Sequence, residues 1–361
     1  MAYKALYRTY RPQRFEDVVG QDVIVKTLQN ALNTGKITHA YLFSGPRGTG
    51  KTTIARLLAK SINCSCGMSS HPCNECTSCK EIMEGISPDV IEIDAASNNG
   101  VDAVRAIVED AKLRSVDSEY KIYIIDECHM LTTAGWNAFL KCLEEPPKYT
   151  IFIFCTTAPE KIPDTILNRV QRFNLSKIPT QELKNRLLYI CEQEQFVNYT
   201  EACDYISKIS NGGARDAIAT LEKCAGYNRD LSIKNVLECL GNFSYDNMFN
   251  FTCALLNSDE QSTIQIIENY YNAGNDLKNF VENYLDFCLD LTKYCLFRNL
   301  SCTKIPSTLE QRCIGYSNIP DILDYSNNLV EKVLEIKTMI KYDPAALTTV
   351  EAMFIKICRG I

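Results

Sequence analysis

Gly45-Pro46-Arg47-Gly48-Thr49-Gly50-Lys51-Thr52 follows directly on the apolar run Tyr41-Leu42-Phe43, and Ile54, Leu57 and Leu58 then repeat at helical spacing. The eight residues match GxxxxGK[ST]. A strand, a glycine-rich turn and a helix in that order form a phosphate-binding loop. Glycines let successive backbone N–H groups curl around phosphate oxygens, and the helix N-terminus adds the positive end of its dipole. In such a loop the lysine reaches the β- and γ-phosphates and the hydroxyl residue ligates Mg²⁺. The stretch therefore predicts an ATP-Mg²⁺ site built on Gly45, Pro46, Arg47, Gly48, Thr49, Gly50, Lys51, Thr52 and Thr53.

Three more short apolar runs alternate with helical periodicity on the C-terminal side of this loop: Val90-Ile91-Glu92-Ile93, Ile122-Tyr123-Ile124-Ile125 and Ile151-Phe152-Ile153-Phe154. That rhythm predicts a parallel α/β sheet. The near-continuous apolarity is that of strands covered by helices on both faces. The run at 122–125 ends in Asp126-Glu127, which places a carboxylate pair at the C-terminal edge of the sheet. Asp126 is expected to hold the Mg²⁺ shell and Glu127 to polarise the attacking water. An apolar strand ending in acids is common by itself; paired with the phosphate loop, Glu127 separates a hydrolase from a nucleotide binder.

After about Ser176 the strand signal stops. Amphipathic helices are predicted over 181–194, 200–210 and 214–225, with a break at Gly212-Gly213. From Asn242 to Ile361 the pattern is helical, interrupted at Gly274, Pro306, Pro320 and Pro344. The expected organisation is an α/β domain over 1–178, a small helical domain over 179–241 and a helical bundle over 242–361. A chain of 361 residues, 46% hydrophobic, has room for that number of cores. No internal repeat or low-complexity tract breaks the pattern.

No apolar run reaches the roughly 18 residues needed to span a bilayer, so no membrane partner is expected. Residues 1–8 lack an apolar signal core, which places the chain in the cytoplasm. A formal net charge of −6 argues against a global positive field that coats nucleic acid, while leaving room for a local basic or helix-end site. Most of the eighteen cysteines stand singly in apolar-periodic stretches; Cys191, Cys203, Cys224 and Cys253 read as buried free thiols. Cys64-x8-Cys73-x2-Cys76-x2-Cys79 differs. It lies between the phosphate-loop helix and the second strand, in a Ser/Gly/Pro-bearing insert with little core to fill. Four thiolates at that spacing suit a closed, structural, tetrahedral Zn²⁺ site. Cys66 and His71 are spare ligands that could replace Cys64, and a loop of free thiols is the plainer alternative.

With these motifs placed, the chain resembles the AAA+ ATPases, and among them the γ/τ-type motor subunits of bacterial DNA polymerase III clamp loaders. The resemblance rests on the segment from Tyr7 to Gln21 (YRTYRPQRFEDVVGQ), the block from Glu92 to Asp102 (EIDAASNNGVD), Asp126 to Leu131 (DECHML) and Asn137 to Pro147 (NAFLKCLEEPP). It implies a P-loop AAA+ parallel αβα sandwich with a zinc-knuckle insert over 64–79, a small helical lid and a C-terminal helical collar. It also implies adenine contacts from Tyr10, Arg11, Pro12, Val18 and Val19. Thr157 is similar to the first sensor residue, and Arg215 to the second, which reaches from the lid onto the phosphates. At a helix start the dipole mildly disfavours an arginine, which fits a functional role for Arg215. Arg169 resembles the finger inserted into a neighbour's ATP site, although Asn168 and Val170 stand where the family has Ser and Cys. Lys141 and Thr165 are the implied contacts to primed template DNA. The implied partners are δ- and δ′-type subunits, the sliding clamp and further copies of the chain. Two other readings share the core, a branch-migration motor and a non-hydrolysing scaffold. The zinc insert and all-helical last third weigh against the first, and intact Lys51, Thr52, Asp126 and Glu127 against the second.

Overall fold

Five strands build one parallel sheet: β1 (Ala40–Ser44), β2 (Val90–Asp94), β3 (Lys121–Asp126), β4 (Thr150–Thr156) and β5 (Gln171–Asn174), in the order β2-β3-β4-β1-β5. The structure is a computed structural model that describes residues 4–240, 245–343 and 345–360. The expected domain boundary at Gly241 and the expected break at Pro344 lie outside the described residues. Between and before the strands run α1 (Leu6–Thr9), α2 (Asp22–Asn33), α3 (Lys51–Ile62), α4 (Thr77–Glu84), α5 (Val101–Asp110), α6 (Thr133–Glu144) and α7 (Asp164–Leu167), with α8 (Thr180–Gln193) after the last strand.

The strand period of two sorts the apolar runs onto two faces. Tyr41, Phe43, Ile122, Ile124, Ile151 and Ile153 share one core with Leu28 of α2 and with Ile54, Leu57 and Leu58 of α3. Leu42, Tyr123, Ile125, Phe152 and Phe154 share the other with Val104 of α5 and with Trp136 and Phe139 of α6. This is the expected αβα sandwich. Every residue of β1 and β4 is buried, as strands sheathed on both sides must be. The fifth strand had no place in the sequence reading because Phe173 is its single buried residue.

Contacts divide the chain into two compact units, Met1–Ile190 with Ser210–Ala219, and Cys191–Ile209 with Thr220–Ile361. The second is helical, apart from an isolated bridge between Val197 and Asp230. Its helices include α9 (Thr200–Ile209), the later part of α10 (Ala214–Tyr227), α11 (Ile233–Cys239), α12 (Tyr245–Leu256), α13 (Glu260–Asn272), α14 (Leu277–Phe297), α15 (Glu310–Ser317), α16 (Ile322–Met339) and α17 (Ala346–Cys358). Gly274, Pro306 and Pro320 fall between helices, as their backbone preferences require. Phe251 packs edge-to-face against Phe280, Tyr284 and Phe354, with ring centroids 4.9 Å apart for Phe251 and Tyr284.

None of the eighteen cysteines, all of them among the described residues, is in a disulfide, and Cys191, Cys203 and Cys224 are buried. Cys253 is exposed, against expectation. On α12 it lies off the face formed by Met248, Phe251, Thr252 and Leu255, all buried, and an apolar helix pattern that is nearly continuous does not reveal which position faces out. Among the described residues no helix is long and apolar enough to cross a membrane.

Candidate functional site

The phosphate loop leaves β1 with Gly45 N donating to the Thr156 carbonyl of β4 at 3.2 Å. It enters α3 through Gly50, whose left-handed backbone forms the N-cap. Lys51 is buried, and its Nζ donates to the carbonyls of Gly45 and Pro46, both at 2.8 Å. Burial pulls the Lys51 pKa down, and the charges of Glu127, Cys155 and Asp126 oppose that pull. The amine is thus fixed beside the loop, with two acids that offset part of the cost of its burial.

β3 delivers Asp126 to the same edge. Its Oδ2 accepts from Thr52 Oγ1 at 2.9 Å and its Oδ1 from the Glu127 N–H at 2.9 Å. Thr52 and Asp126 therefore converge, as two ligands of one Mg²⁺ shell must. Glu127 takes a left-handed backbone, φ 46°, which turns its carboxylate away from the strand. Its Oε2 accepts from Thr157 Oγ1 at 2.9 Å and Thr157 N at 3.3 Å, and lies 3.3 Å from His129 Nδ1. His129 Nδ1 is also 3.1 Å from Thr156 Oγ1. A parallel register sets Asp94 of β2 opposite Asp126.

Lys51, Thr52, Asp94, Asp126 and Glu127 face a cavity of about 560 Å³, the size of a nucleotide pocket, whereas Thr157 and His129 stand behind Glu127 and do not line it. Of the residues expected to bind ATP, Tyr10, Arg11, Pro12, Val18, Val19, Arg47, Gly48, Thr49, Gly50, Lys51, Thr52, Thr53 and Arg215 line it. Gly45 and Pro46 do not; their carbonyls hold Lys51. Tyr7 and Asp17, from the segment 7–21 that resembles the family's adenine-wrapping opening, line it as well, as do Glu92, Asp94, Ile178, Arg186, Ala214 and Ile218, which were not singled out as nucleotide contacts. The segment before α2 is shaped by its own side chains. Asp17 Oδ2 accepts from the N–H groups of Gln13 and Arg14, Phe15 is buried, and Arg186 donates to the Tyr10 carbonyl at 2.7 Å.

Arg215 enters from the start of α10 and stacks over the Tyr7 ring, 5.1 Å from its centroid. Two glycines allow that helix end to approach: a Cβ on Gly48 would lie 3.2 Å from Gly213 Cα, and one on Gly213 would lie 3.2 Å from the Arg47 carbonyl. Ala214 N donates to Gly48 O at 3.0 Å across this close approach.

Arg169, Lys141 and Thr165 do not line the cavity. Arg169 follows α7, and its guanidinium bonds the Thr165 carbonyl and the Glu144 carboxylate at the end of α6. Lys141, in the last turn of α6, and Thr165, in α7, are both exposed. Arg169 is therefore held by groups of its own chain, outside the cavity.

The sulfur atoms of Cys64, Cys73, Cys76 and Cys79 lie within 4.8 Å of one another. Zn–S bonds of about 2.3 Å need tetrahedron edges of about 3.8 Å, so the donor set fits. Backbone N–H groups already point at three of the sulfurs: Cys73 N at Cys64, Cys76 N at Cys73 and Cys79 N at Cys76, each 3.4 to 3.5 Å away. Those from Cys76 and Glu75 hold the Cys73 thiol down at about 6. Burial pushes the Cys76 thiol up, but the N–H groups of Cys79 and Ser65 carry it below its ordinary value. Neither spare candidate is one of the four, although Cys66 lies beside Cys64 and Cys73. His71 turns to Ser70 Oγ at 2.8 Å and Glu16 at 3.4 Å, and Cys66 is exposed.

The parallel sheet in this strand order, with its phosphate loop and its acid pair beside the next strand's threonines, defines the AAA+ P-loop fold. Thermotoga maritima RuvB, titled a Holliday junction branch migration motor, shares that fold with a TM-score of 0.50 at 18% identity, over 68% of this chain and 79% of that one. A family model described as DNA polymerase III, delta subunit, matches residues 20–179. The chain is 44% identical over 295 residues to DNA polymerase III subunit tau of Bacillus subtilis, which covers 81% of this chain and 52% of that one. It is 41% identical over 288 residues to DNA polymerase III subunit gamma of Buchnera aphidicola subsp. Schizaphis graminum, covering 80% and 79%. The chain belongs to the DNA polymerase III gamma/tau subunit family. It spans about half the length of the tau-type relative it matches.

Proposed function

We propose that the chain is the ATP-driven motor subunit of a clamp loader, which binds and hydrolyses ATP to place a sliding clamp on primed template DNA during replication. The observation that carries this reading is the convergence of Lys51, Thr52, Asp126 and Glu127 on one cavity in a chain of the gamma/tau family. A scaffold would not need the acid pair. In this reading the backbone N–H groups of 45–53 and the Lys51 ammonium bind the phosphates. Tyr10, Arg11, Pro12, Val18 and Val19 surround the base. Thr52 and Asp126 would hold Mg²⁺, which neutralises phosphate charge when bound. Glu127, oriented by Thr157, accepts the proton of the attacking water, and Arg215 stabilises phosphate charge from the lid.

Arg169 serves the neighbouring copy's site, and such a finger is worth roughly 10³ to 10⁵ in rate. The four cysteines would hold a structural Zn²⁺, which crosslinks the insert when bound. Residues 179–241 act as lid and 242–361 as collar, assembling with δ- and δ′-type subunits and further copies of the chain in the cytoplasm. Lys141 and Thr165 meet the DNA backbone, where helix-end donors need no net positive protein charge. The test is ATP turnover by the protein with its co-purifying partners, with and without primed DNA and sliding clamp. A rate raised by both together supports the reading; a rate indifferent to both sinks it.

A further inference from the structure

Lys60, in the last turn of α3, is fully buried, an unusual place for an ammonium. Its Nζ donates to the Gln13 carbonyl and to Asn74 Oδ1, each at 2.6 Å. Asn74 lies inside the cysteine loop, between Cys73 and Cys76, and takes a left-handed backbone, φ 63°, which turns its amide toward the helix. Gln13 belongs to the segment that Asp17 ties into a tight turn immediately before Val18 and Val19. One buried cation thus joins the cysteine loop to the base-side wall of the cavity. A second link runs beside it, from His71 of the loop to Glu16 of the segment. Neither acceptor of Lys60 carries a charge, and burial pulls its pKa down. A buried ammonium held in this way is costly to create and is kept in place by its partners on both sides.

We propose that Lys60 is a positioning residue through which the four-cysteine loop sets the base-side wall of the nucleotide pocket, so that metal in the loop tunes affinity for the adenosine part of ATP. This rests on the ATP reading above. Lys60 touches neither phosphate-binding groups nor the acid pair. Its loss therefore alters recognition of the base and leaves the phosphate cradle intact.

The test uses the full chain and two variants. Lys60→Met keeps the volume and removes the charge, and Asn74→Gly keeps the left-handed backbone and removes the acceptor while Lys60 stays, so it carries the test if the first fails to fold. Calorimetry measures affinity for ATP-Mg²⁺ and for inorganic tripolyphosphate, which has no base, and metal analysis measures zinc per chain. The expected result is an ATP affinity about tenfold weaker in both variants, on the scale of one lost charge-assisted hydrogen bond, with tripolyphosphate within about twofold and zinc retained. Stripping zinc from the wild-type chain is expected to give the same base-specific loss and to add nothing in Lys60→Met. An unchanged ATP affinity in the variants, an equal loss for both ligands, or a full further loss on stripping Lys60→Met would overturn the proposal. A wild-type chain that binds tripolyphosphate but discriminates no base overturns it too; one that binds neither ligand refutes the ATP reading itself.

Discussion

Replacing Gly45 by alanine tests whether the phosphate loop is locked to the sheet. Gly45 has φ 143°, and a Cβ there would lie 2.4 Å from the Leu175 carbonyl oxygen and 3.0 Å from Leu175 Cβ. Neither backbone has freedom to withdraw: Leu175 N is bonded to Ser44 O at 2.7 Å, and Gly45 N to Thr156 O at 3.2 Å. The strain of an alanine at that φ, about 1–2 kcal/mol, adds to about 1–3 kcal/mol for overpacking against fixed atoms. Gly50→Ala is the internal control. Its φ is 107°, and a Cβ there meets nothing within 4 Å, so the backbone contribution of about 1–2 kcal/mol stands alone. The chain has a single tryptophan, Trp136, buried in the core of the first unit, so urea unfolding followed by its fluorescence reports that unit by itself. Gly45→Ala is expected to lie about 2 kcal/mol below Gly50→Ala, and to lose the stabilisation that ATP gives the wild type. Equal midpoints for the two variants at equal slope would refute the locking argument.

Glu127→Gln is expected to keep ATP affinity within a few-fold and to lower turnover by about 10² or more, the usual worth of a positioned general base; single-turnover measurement with labelled ATP separates the two. Asp110 bonds Lys121 and the Tyr123 hydroxyl, and the Lys121 bond, then the Tyr123 bond, hold its carboxyl below the ordinary value. A depressed folded-state pKa contributes stability above the unfolded value that is lost as pH falls through the folded one. Asp110→Asn is therefore expected to destabilise the first unit at pH 7 and to make little difference near pH 3, as read by Trp136 fluorescence. In assemblies that mix Arg169→Ala with Lys51→Ala subunits, activity is expected to depend on which variant is neighbour to which. Inactivation confined to each variant's own site would remove Arg169 from the trans role.

Much of the fold was legible because β1, β3 and β4 are covered on both faces and so read as short apolar runs, and because the phosphate loop names its own strand and helix. β5 escaped because an edge strand with one inward residue, Phe173, has no run to show. In the site, Lys51, Thr52, Asp126 and Glu127 could be placed from spacing alone, whereas Thr157, Arg169 and Arg215 required the family. Glu92 and Asp94 were missed although a signal existed: they alternate with Ile91 and Ile93 on a strand that ends beside Asp126. Arg186 gave none, since its part in the cavity depends on chain segments far apart in sequence. Lys60 sat among Leu57, Leu58, Ser61 and Ile62, all buried, where a lysine on a core-facing turn is itself the anomaly to question.

The strand order also sets a timetable. β1 carries the phosphate loop, yet its two neighbours are made much later: Tyr41 pairs with Ile153 of β4 and with Gln171 of β5. At roughly 5–20 residues per second, the loop waits on the order of ten seconds of synthesis for the strands that hold it. The cysteine loop closes over residues 64–79 alone and needs no distant partner. On the zinc reading proposed above, all four ligands exist once residue 79 has been made, well before the strands that complete the nucleotide pocket.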